Sequence, residues 1–305
     1  MTEPVIAVTS FRKVYGSNVA VDNISFEVQR GEIFGLLGPN GAGKTSTLEC
    51  LEGLRTPDGG TLRVAGIDPT HQFRQLRNVM GVQLQASGLP ENIRVGEAIN
   101  LFCAYHNVTP SADLLRRLEL IEKRSAQYHE LSAGQQRRLA LALAIAHKPQ
   151  VLFLDEPTAG LDVASRVALH ELMRELKASG ATIVLATHDM AEAEEMADHV
   201  AILLRGKIAA TGTPLEITAS GAGLSKVTVR TEKASLGKQQ PAFPAVKRHL
   251  FQEDYAVYYS TDVGPTISAI ITYIDEQMDK LIDLRIERPS LEDRFLEITH
   301  TGGAR

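Results

Sequence analysis

The sequence predicts an α/β fold built on a mostly parallel sheet, and three stretches of its 305 residues carry that prediction. The first is Glu32-Ile-Phe-Gly-Leu-Leu37, followed by the glycine-rich run GPNGAGKTST and a stretch from Thr45 to Gly53 without a helix breaker. The second is Val151-Leu-Phe-Leu154, purely apolar and followed at once by Asp155-Glu156-Pro157. The third is the apolar run Ile183 to Ala186, which ends at Thr187-His188. Short continuous apolar runs read as strands buried on both faces, the pattern of a parallel sheet covered by helices.

Composition sets the bounds. With 44% apolar and 23% charged residues the chain falls in the globular class, and its length suits about two domains. A net charge of -5 argues against a broad electrostatic footprint on nucleic acid, so no nucleic-acid partner is expected. No run of about 18 apolar residues is present to span a bilayer. The start, MTEPVIAVTS, lacks the basic and apolar regions of a signal peptide. Cys50 and Cys103 are isolated, which suits a reducing cytoplasm and predicts two small buried hydrophobes. His129-Glu130 and His170-Glu171 lack the second histidine that a zinc helix requires.

In the first stretch the order is strand, glycine loop, helix. Gly38, Gly43, Lys44 and Thr45 fit the phosphate-loop pattern G-x-x-x-x-G-K-[ST], with Pro39, Asn40, Gly41, Ala42 and Ser46 completing the loop. Backbone N–H groups converge on a phosphate only where no Cβ intrudes, hence the glycines. The helix N-terminus adds unpaired N–H groups and partial positive charge. Lys44 can reach the β- and γ-phosphates of a bound nucleotide, and the Thr45 hydroxyl can ligate Mg²⁺. In the second stretch, a buried strand delivers two acids to the ligand crevice of a parallel sheet. Asp155 is the candidate Mg²⁺ ligand, and Glu156 the candidate base for an attacking water. Between them, Leu131-Ser-Ala-Gly-Gln135 precedes a breaker-free run to His147. Ser132 is the expected N-cap, with Gln135 in capping-box position, and Gly134 leaves the first amides open to a second phosphate surface.

Together these stretches resemble the ATP-binding subunits of ABC transporters. Gly38 to Thr45 is similar to the Walker A loop, Val151 to Glu156 to Walker B, and Leu131 to Gln135 to the signature LSGGQ, here with Ala133 in place of the first glycine. The resemblance assigns further residues. Gln85 matches the Q-loop glutamine that reaches the metal, with Gln83 a competitor that the spacing to Arg94-Val95 disfavours. Asp162, in Ala159-Gly-Leu-Asp162, matches the D-loop, and His188 the switch histidine at the γ-phosphate. Tyr15 matches the aromatic that stacks on adenine. The implied fold has an ATPase core around a mostly parallel sheet, an antiparallel β-subdomain and a helical subdomain from residues 95 to 147, interrupted at Pro110. The implied activity is ATP hydrolysis, with Glu156, His188 and Lys44 as the catalytic set. The implied assembly is a homodimer that sandwiches two ATP molecules, bound to a separate transmembrane permease on the cytoplasmic face of the membrane.

Composition shifts at Ser220-Gly-Ala-Gly223, which reads as a linker between an ATP-binding domain at 1–220 and an accessory domain at 221–305. Within the second, Ser225 to Arg230, Tyr255 to Ser260 and Leu281 to Ile286 have strand character, and Thr266 to Gln277 has helical spacing. A small α+β appendage is expected. Its end, Arg288-Pro-Ser-Leu-Glu-Asp-Arg-Phe-Leu296, resembles the Pro-(Ser/Thr)-Leu-Glu-Asp-x-Phe terminus of multidrug and antibiotic-efflux ATPases. That ending favours an exporter of a drug, antibiotic or lipid-like substrate over an importer. A single phosphate loop without heptads or a basic tail disfavours the non-transport ATPases of the family.

Overall fold

The structure, a computed structural model, describes residues 3–84, 88–220, 223–239, 241–252 and 254–301. The chain divides into two compact units, Met1–Pro214 and Leu215–Arg305.

In the first unit, β1 (Ile6–Tyr15) and β2 (Asn18–Val28) form an antiparallel hairpin, and the short buried β3 (Ile33–Leu37) leads into α1 (Lys44–Leu51). The chain continues through β4 (Gly59–Val64), α2 (Phe73–Val79) and β5 (Met80–Gln83). Next come α3 (Val95–Tyr105), α4 (Ala112–Arg117) and α5 (Ala133–Ile145), the expected helical segment, broken where Pro110 precedes the Ser111 cap of α4. The unit closes with β6 (Val151–Asp155), α6 (Val163–Ala178), β7 (Thr182–Thr187), α7 (Met190–Met196), β8 (His199–Leu204) and β9 (Lys207–Gly212).

Two sheets result. One is antiparallel in the order β2-β1-β4, and the other has six strands in the order β5-β6-β7-β3-β8-β9. All neighbours in the larger sheet are parallel except β8 and β9. Every residue of β3, β6 and β7 is buried, and period-two alternation divides them between two cores. Phe34, Leu36, Val151, Phe153, Val184 and Ala186 meet the antiparallel sheet and α1, with Phe26 and Phe34 stacked at 5.2 Å. Ile33, Leu152, Leu154, Ile183 and Leu185 meet α3, α5 and α6 on the other side. Cys50 and Cys103 are free and buried, one in each core.

This order positions the site. β7 lies between β3 and β6, with Leu37 opposite Thr187 and Asp155 opposite Ala186. The glycine loop and both acids therefore leave the carboxyl end of the sheet one strand apart, the usual ligand crevice of such sheets.

The second unit continues from α8 (Pro214–Ala219), whose first residue closes the first unit. It contains β10 (Ser225–Thr231), α9 (Ser235–Gln239), β11 (Val246–Gln252), β12 (Tyr255–Ser260), α10 (Val263–Glu276), β13 (Leu281–Glu287) and α11 (Leu291–Thr301). This is a βαββαβ arrangement whose antiparallel sheet has the order β11-β12-β10-β13. Val227, Val229, Tyr258, Ile270 and Ile274 form its core. The three expected strands and the expected helix are present. The helix begins at Val263 instead of Thr266, because the Asp262 carboxylate accepts from Gly264 N at 3.2 Å and caps it there. β11 and α9 were not expected. β11 carries Lys247, Arg248 and His249 exposed at a sheet edge, so no alternation marked it as a strand.

Candidate nucleotide site

The loop between β3 and α1 is held by contacts that only glycine permits at two points. A Cβ on Gly38 would lie 2.3 Å from the Leu203 carbonyl oxygen, and one on Gly43, at φ 108°, would lie 2.7 Å from that of Ala20. Ala42 is buried, donates to Pro39 O at 3.1 Å and accepts from Gly206 N at 3.1 Å. The loop is thus pinned to the sheet from behind while its front faces a cavity of about 250 Å³. Pro39, Asn40, Gly41, Gly43, Lys44, Thr45 and Ser46 line that cavity, with Asp155 and Glu156 opposite and Tyr15 at the rim. The Tyr15 ring is 38% exposed and has Lys13 Nζ 5.2 Å from its centroid, so one face has a cationic neighbour. Asn18 and Ala20 also line the cavity, on the β2 strand that follows the hairpin turn. Nothing in their residue types signalled this, because their place depends on the hairpin folding over the loop.

Lys44 is buried. Its Nζ donates to Gly38 O at 2.7 Å and stands 3.6 Å from Glu156 Oε1. Thr45 Oγ1 donates to Asp155 Oδ2 at 3.0 Å. Both acids keep one oxygen, Asp155 Oδ1 and Glu156 Oε1, buried without a hydrogen-bond partner, an arrangement that costs free energy until something fills it. Burial, helped by Glu156, holds the Asp155 carboxyl above its ordinary range against the opposing Thr45 bond. Nearby Glu52 is pushed up to about 8 by burial and then by Asp155 and Glu49. An added positive charge would relieve both. A hydroxyl and a carboxylate are hard oxygen donors, the partial set with which Mg²⁺ is held when substrate phosphates complete its shell. Among the described residues no three His, Cys, Asp or Glu side chains form an all-protein metal cage. The residues present therefore fit Mg²⁺ held jointly with a phosphate group.

Glu156 is buried, and its backbone lies in the left-handed region at φ 50°, a strained setting for a non-glycine residue. Three contacts hold it there. Its N–H donates to Ala186 O at 2.9 Å, its Oε2 accepts from His188 Nδ1 at 2.7 Å, and its carbonyl accepts from Arg137 Nη1 at 2.6 Å. Arg137 lies on α5, and sequence reasoning missed it because an arginine two residues past Gln135 reads as surface charge.

Ser132, Gly134, Gln135 and Asp162 do not line the cavity. Ser132 and Gln135 cap α5 reciprocally, with Gln135 N to Ser132 Oγ at 3.3 Å and Ser132 N to Gln135 Oε1 at 3.0 Å. Asp162 caps α6, accepting from Ser165 N at 2.9 Å, a bond that lowers its carboxyl below the ordinary range. Gly134 has only Leu161 Cδ2 near a built Cβ, at 3.7 Å, an ordinary contact. Gln85 lies outside the described residues. Gln83 is buried in β5 and away from the cavity.

A glycine loop with lysine and threonine after one parallel strand, and paired acids after another, define a phosphate-loop nucleoside triphosphatase. The family model described as "ABC transporter" matches residues 21–159. Nod factor export ATP-binding protein I of Ralstonia nicotianae is 36% identical over 97% of this chain and 94% of its own length. The daunorubicin resistance ATP-binding protein DrrA3 of Streptomyces coeruleorubidus is 31% identical over 98% of this chain and 97% of its own. A solved ATP-binding subunit of an ABC transporter superposes with a TM-score of 0.67 at 29% identity, over 70% of this chain and 92% of that one. The chain belongs to the ATP-binding subunits of ABC transporters and is an ATPase. No helix among the described residues is long and apolar enough to cross a membrane.

Proposed function

We propose that this ATPase powers export of a drug, antibiotic or lipid-like substrate through a separate transmembrane permease. It would work as a homodimer on the cytoplasmic face of that permease, with two ATP molecules at composite sites. The end-to-end match to the relatives named for Nod factor export and daunorubicin resistance supports export, because it includes the accessory unit as well as the ATPase.

The observation that carries the chemistry is the convergence of Lys44, Thr45, Asp155 and Glu156 on one cavity. The loop amides and Lys44 bind the β- and γ-phosphates, while Tyr15 receives the adenine. Thr45 and Asp155, with Gln85, would hold Mg²⁺, which when bound would neutralise charge on the phosphate oxygens. Glu156 accepts a proton from the water that attacks the γ-phosphorus, and the bond to the ADP oxygen breaks. His188 keeps the Glu156 carboxylate aimed through its 2.7 Å bond. Ser132, Gly134 and Gln135 serve the γ-phosphate of the other copy, and Asp162 lies at the same interface. Gly134 suits this role: a Cβ there would meet only Leu161 Cδ2 at 3.7 Å, so its own chain leaves the position open to what approaches from outside.

Glu156→Gln tests the reading. The variant should bind ATP and hydrolyse it roughly a hundredfold to ten-thousandfold more slowly, the usual worth of a general base. In a chain ending at Ser220, which lacks the accessory unit, the same substitution should give a dimer on size exclusion only when ATP is present. Fast hydrolysis would remove Glu156 as the base, and an ATP-insensitive elution volume would count against the sandwich.

A further inference from the structure

β13 ends the sheet of the accessory unit: β10 pairs along one side, and no strand of the described residues pairs along the other. Such an edge offers a row of backbone donors and acceptors, and proteins that keep it single blunt it with charged side chains. The opposite edge exposes Lys247 and Arg248 on β11, charges of one sign that would repel a second copy. β13 instead alternates charges of both signs with apolar residues. Its sequence is Leu-Ile-Asp-Leu-Arg-Ile-Glu, with Leu281 at 38%, Ile282 at 51% and Ile286 at 50% exposure.

The order of these residues is self-complementary. An antiparallel copy centred on Leu284 sets Asp283 opposite Arg285, Arg285 opposite Asp283, and Leu284 opposite itself. One residue further out it sets Ile282 opposite Ile286. The register with β10 puts Asp283 and Arg285 on the sheet face shared with Arg230 and Thr228, and Leu284 and Ile286 on the face that Val229 and Val227 bury. Charges would meet charges and apolar groups apolar groups, on opposite faces. Ile282 sits at the one register shift of the β10–β13 pair, so the match rests chiefly on Asp283, Leu284 and Arg285. Within one chain Arg285 Nη2 already pairs with Asp283 Oδ2 at 2.8 Å. Two copies would exchange their two internal contacts for two equivalent ones across the strands, at no cost in unpaired charge.

We infer that β13 is a homotypic docking edge, through which two copies of this chain join their accessory sheets into one continuous antiparallel sheet about a two-fold axis. The closed two-fold symmetry makes the interface self-limiting, and main-chain pairing supplies the affinity while the Asp283–Arg285 pairs set the register. No nucleotide takes part, so this contact is separate from the ATP-dependent dimer proposed above.

The test uses the full chain without added nucleotide. Opposed residues in antiparallel strands have Cα atoms about 4.5–5.5 Å apart, within the about 4.4–6.8 Å that a disulfide bridges. Asp283→Cys and Arg285→Cys chains are purified separately, then oxidised alone and as an equal mixture. The two native cysteines are buried and give little background. The mixture should yield several-fold more covalent dimer than either variant alone, because only a mixed pair brings the two cysteines together and still keeps one Asp283–Arg285 contact. In parallel, Asp283→Arg should weaken self-association measured by sedimentation, and the double reversal Asp283→Arg with Arg285→Asp should restore it. A mixture that cross-links no better than the separate variants, with all three folded and hydrolysing ATP normally, would overturn the proposal. So would efficient cross-linking of Asp283→Cys alone, since it demands a different register.

Discussion

Glu156 combines a left-handed backbone with a buried, incompletely paired carboxylate, and each is unfavourable alone. It persists because Ala186, His188 and Arg137 hold it from three directions. Arg137 is the informative partner, because it joins the helix that carries the Leu131–Gln135 motif to the carbonyl of the candidate base. A hydrogen bond from a charged donor is worth about 1.5–3 kcal/mol. Arg137→Ala should therefore lower kcat by roughly tenfold to a hundredfold, since each 1.4 kcal/mol is a factor of ten. KM for ATP should barely change, because Arg137 is not among the residues lining the loop cavity. Arg137→Lys should recover part of the loss, as it keeps a donor but not the planar fork. An equal loss in kcat and in ATP affinity would show that Arg137 supports the fold of the whole site and not the aim of Glu156.

At the scale of elements, α5 shows how one helix start serves two ends. Ser132 Oγ accepts from the Gln135 amide and Gln135 Oε1 from the Ser132 amide, so the helix has its cap without a ligand while its first two amides stay open to one. Gly134, between them, is not required by any neighbour of its own. This separation predicts the outcome of mixing two inactive chains, Lys44→Ala and Gly134→Asp. Each lesion alone should abolish hydrolysis. In a mixed head-to-tail dimer, one interface combines both lesions and the other pairs an intact phosphate loop with an intact Leu131–Gln135 segment. The mixture should regain partial ATPase activity that neither parent has. An inactive mixture in which mixed dimers are demonstrated directly would argue that each chain completes its own site.

At the scale of the whole molecule, each of the described core clusters falls within a single unit. Both cores of the first unit draw only on residues before Pro214, and that of the second only on residues after Val227 and including it. A chain ending at Ser220 should therefore fold and bind ATP with affinity close to that of the full chain, measured by titration with a fluorescent analogue. Dimer formation through β13, and export by the complete transporter, should be lost with the accessory unit. A soluble truncated chain that no longer binds ATP would mean that the accessory unit completes the nucleotide site.

Much of this was determined by the sequence alone. The glycine spacing of 38–45, the apolar runs that end at Leu37, Asp155 and Thr187, and the Ser132–Gln135 box are local patterns. Their meaning follows from backbone sterics and hydrogen-bond arithmetic within a few residues. The accessory unit was legible where valine and tyrosine are dense, in β10 and β12, and illegible at β11, where exposure leaves polar residues on both faces. Only the tertiary structure decided which local patterns meet. It set the loop and the acids one strand apart, folded Asn18 and Ala20 over the phosphate loop, and brought Arg137 to the Glu156 carbonyl. It also left β13 at a sheet edge, where its self-complementary order acquires a use. Strand order and helix placement are set by how entire cores close, a long-range property that no window of sequence contains.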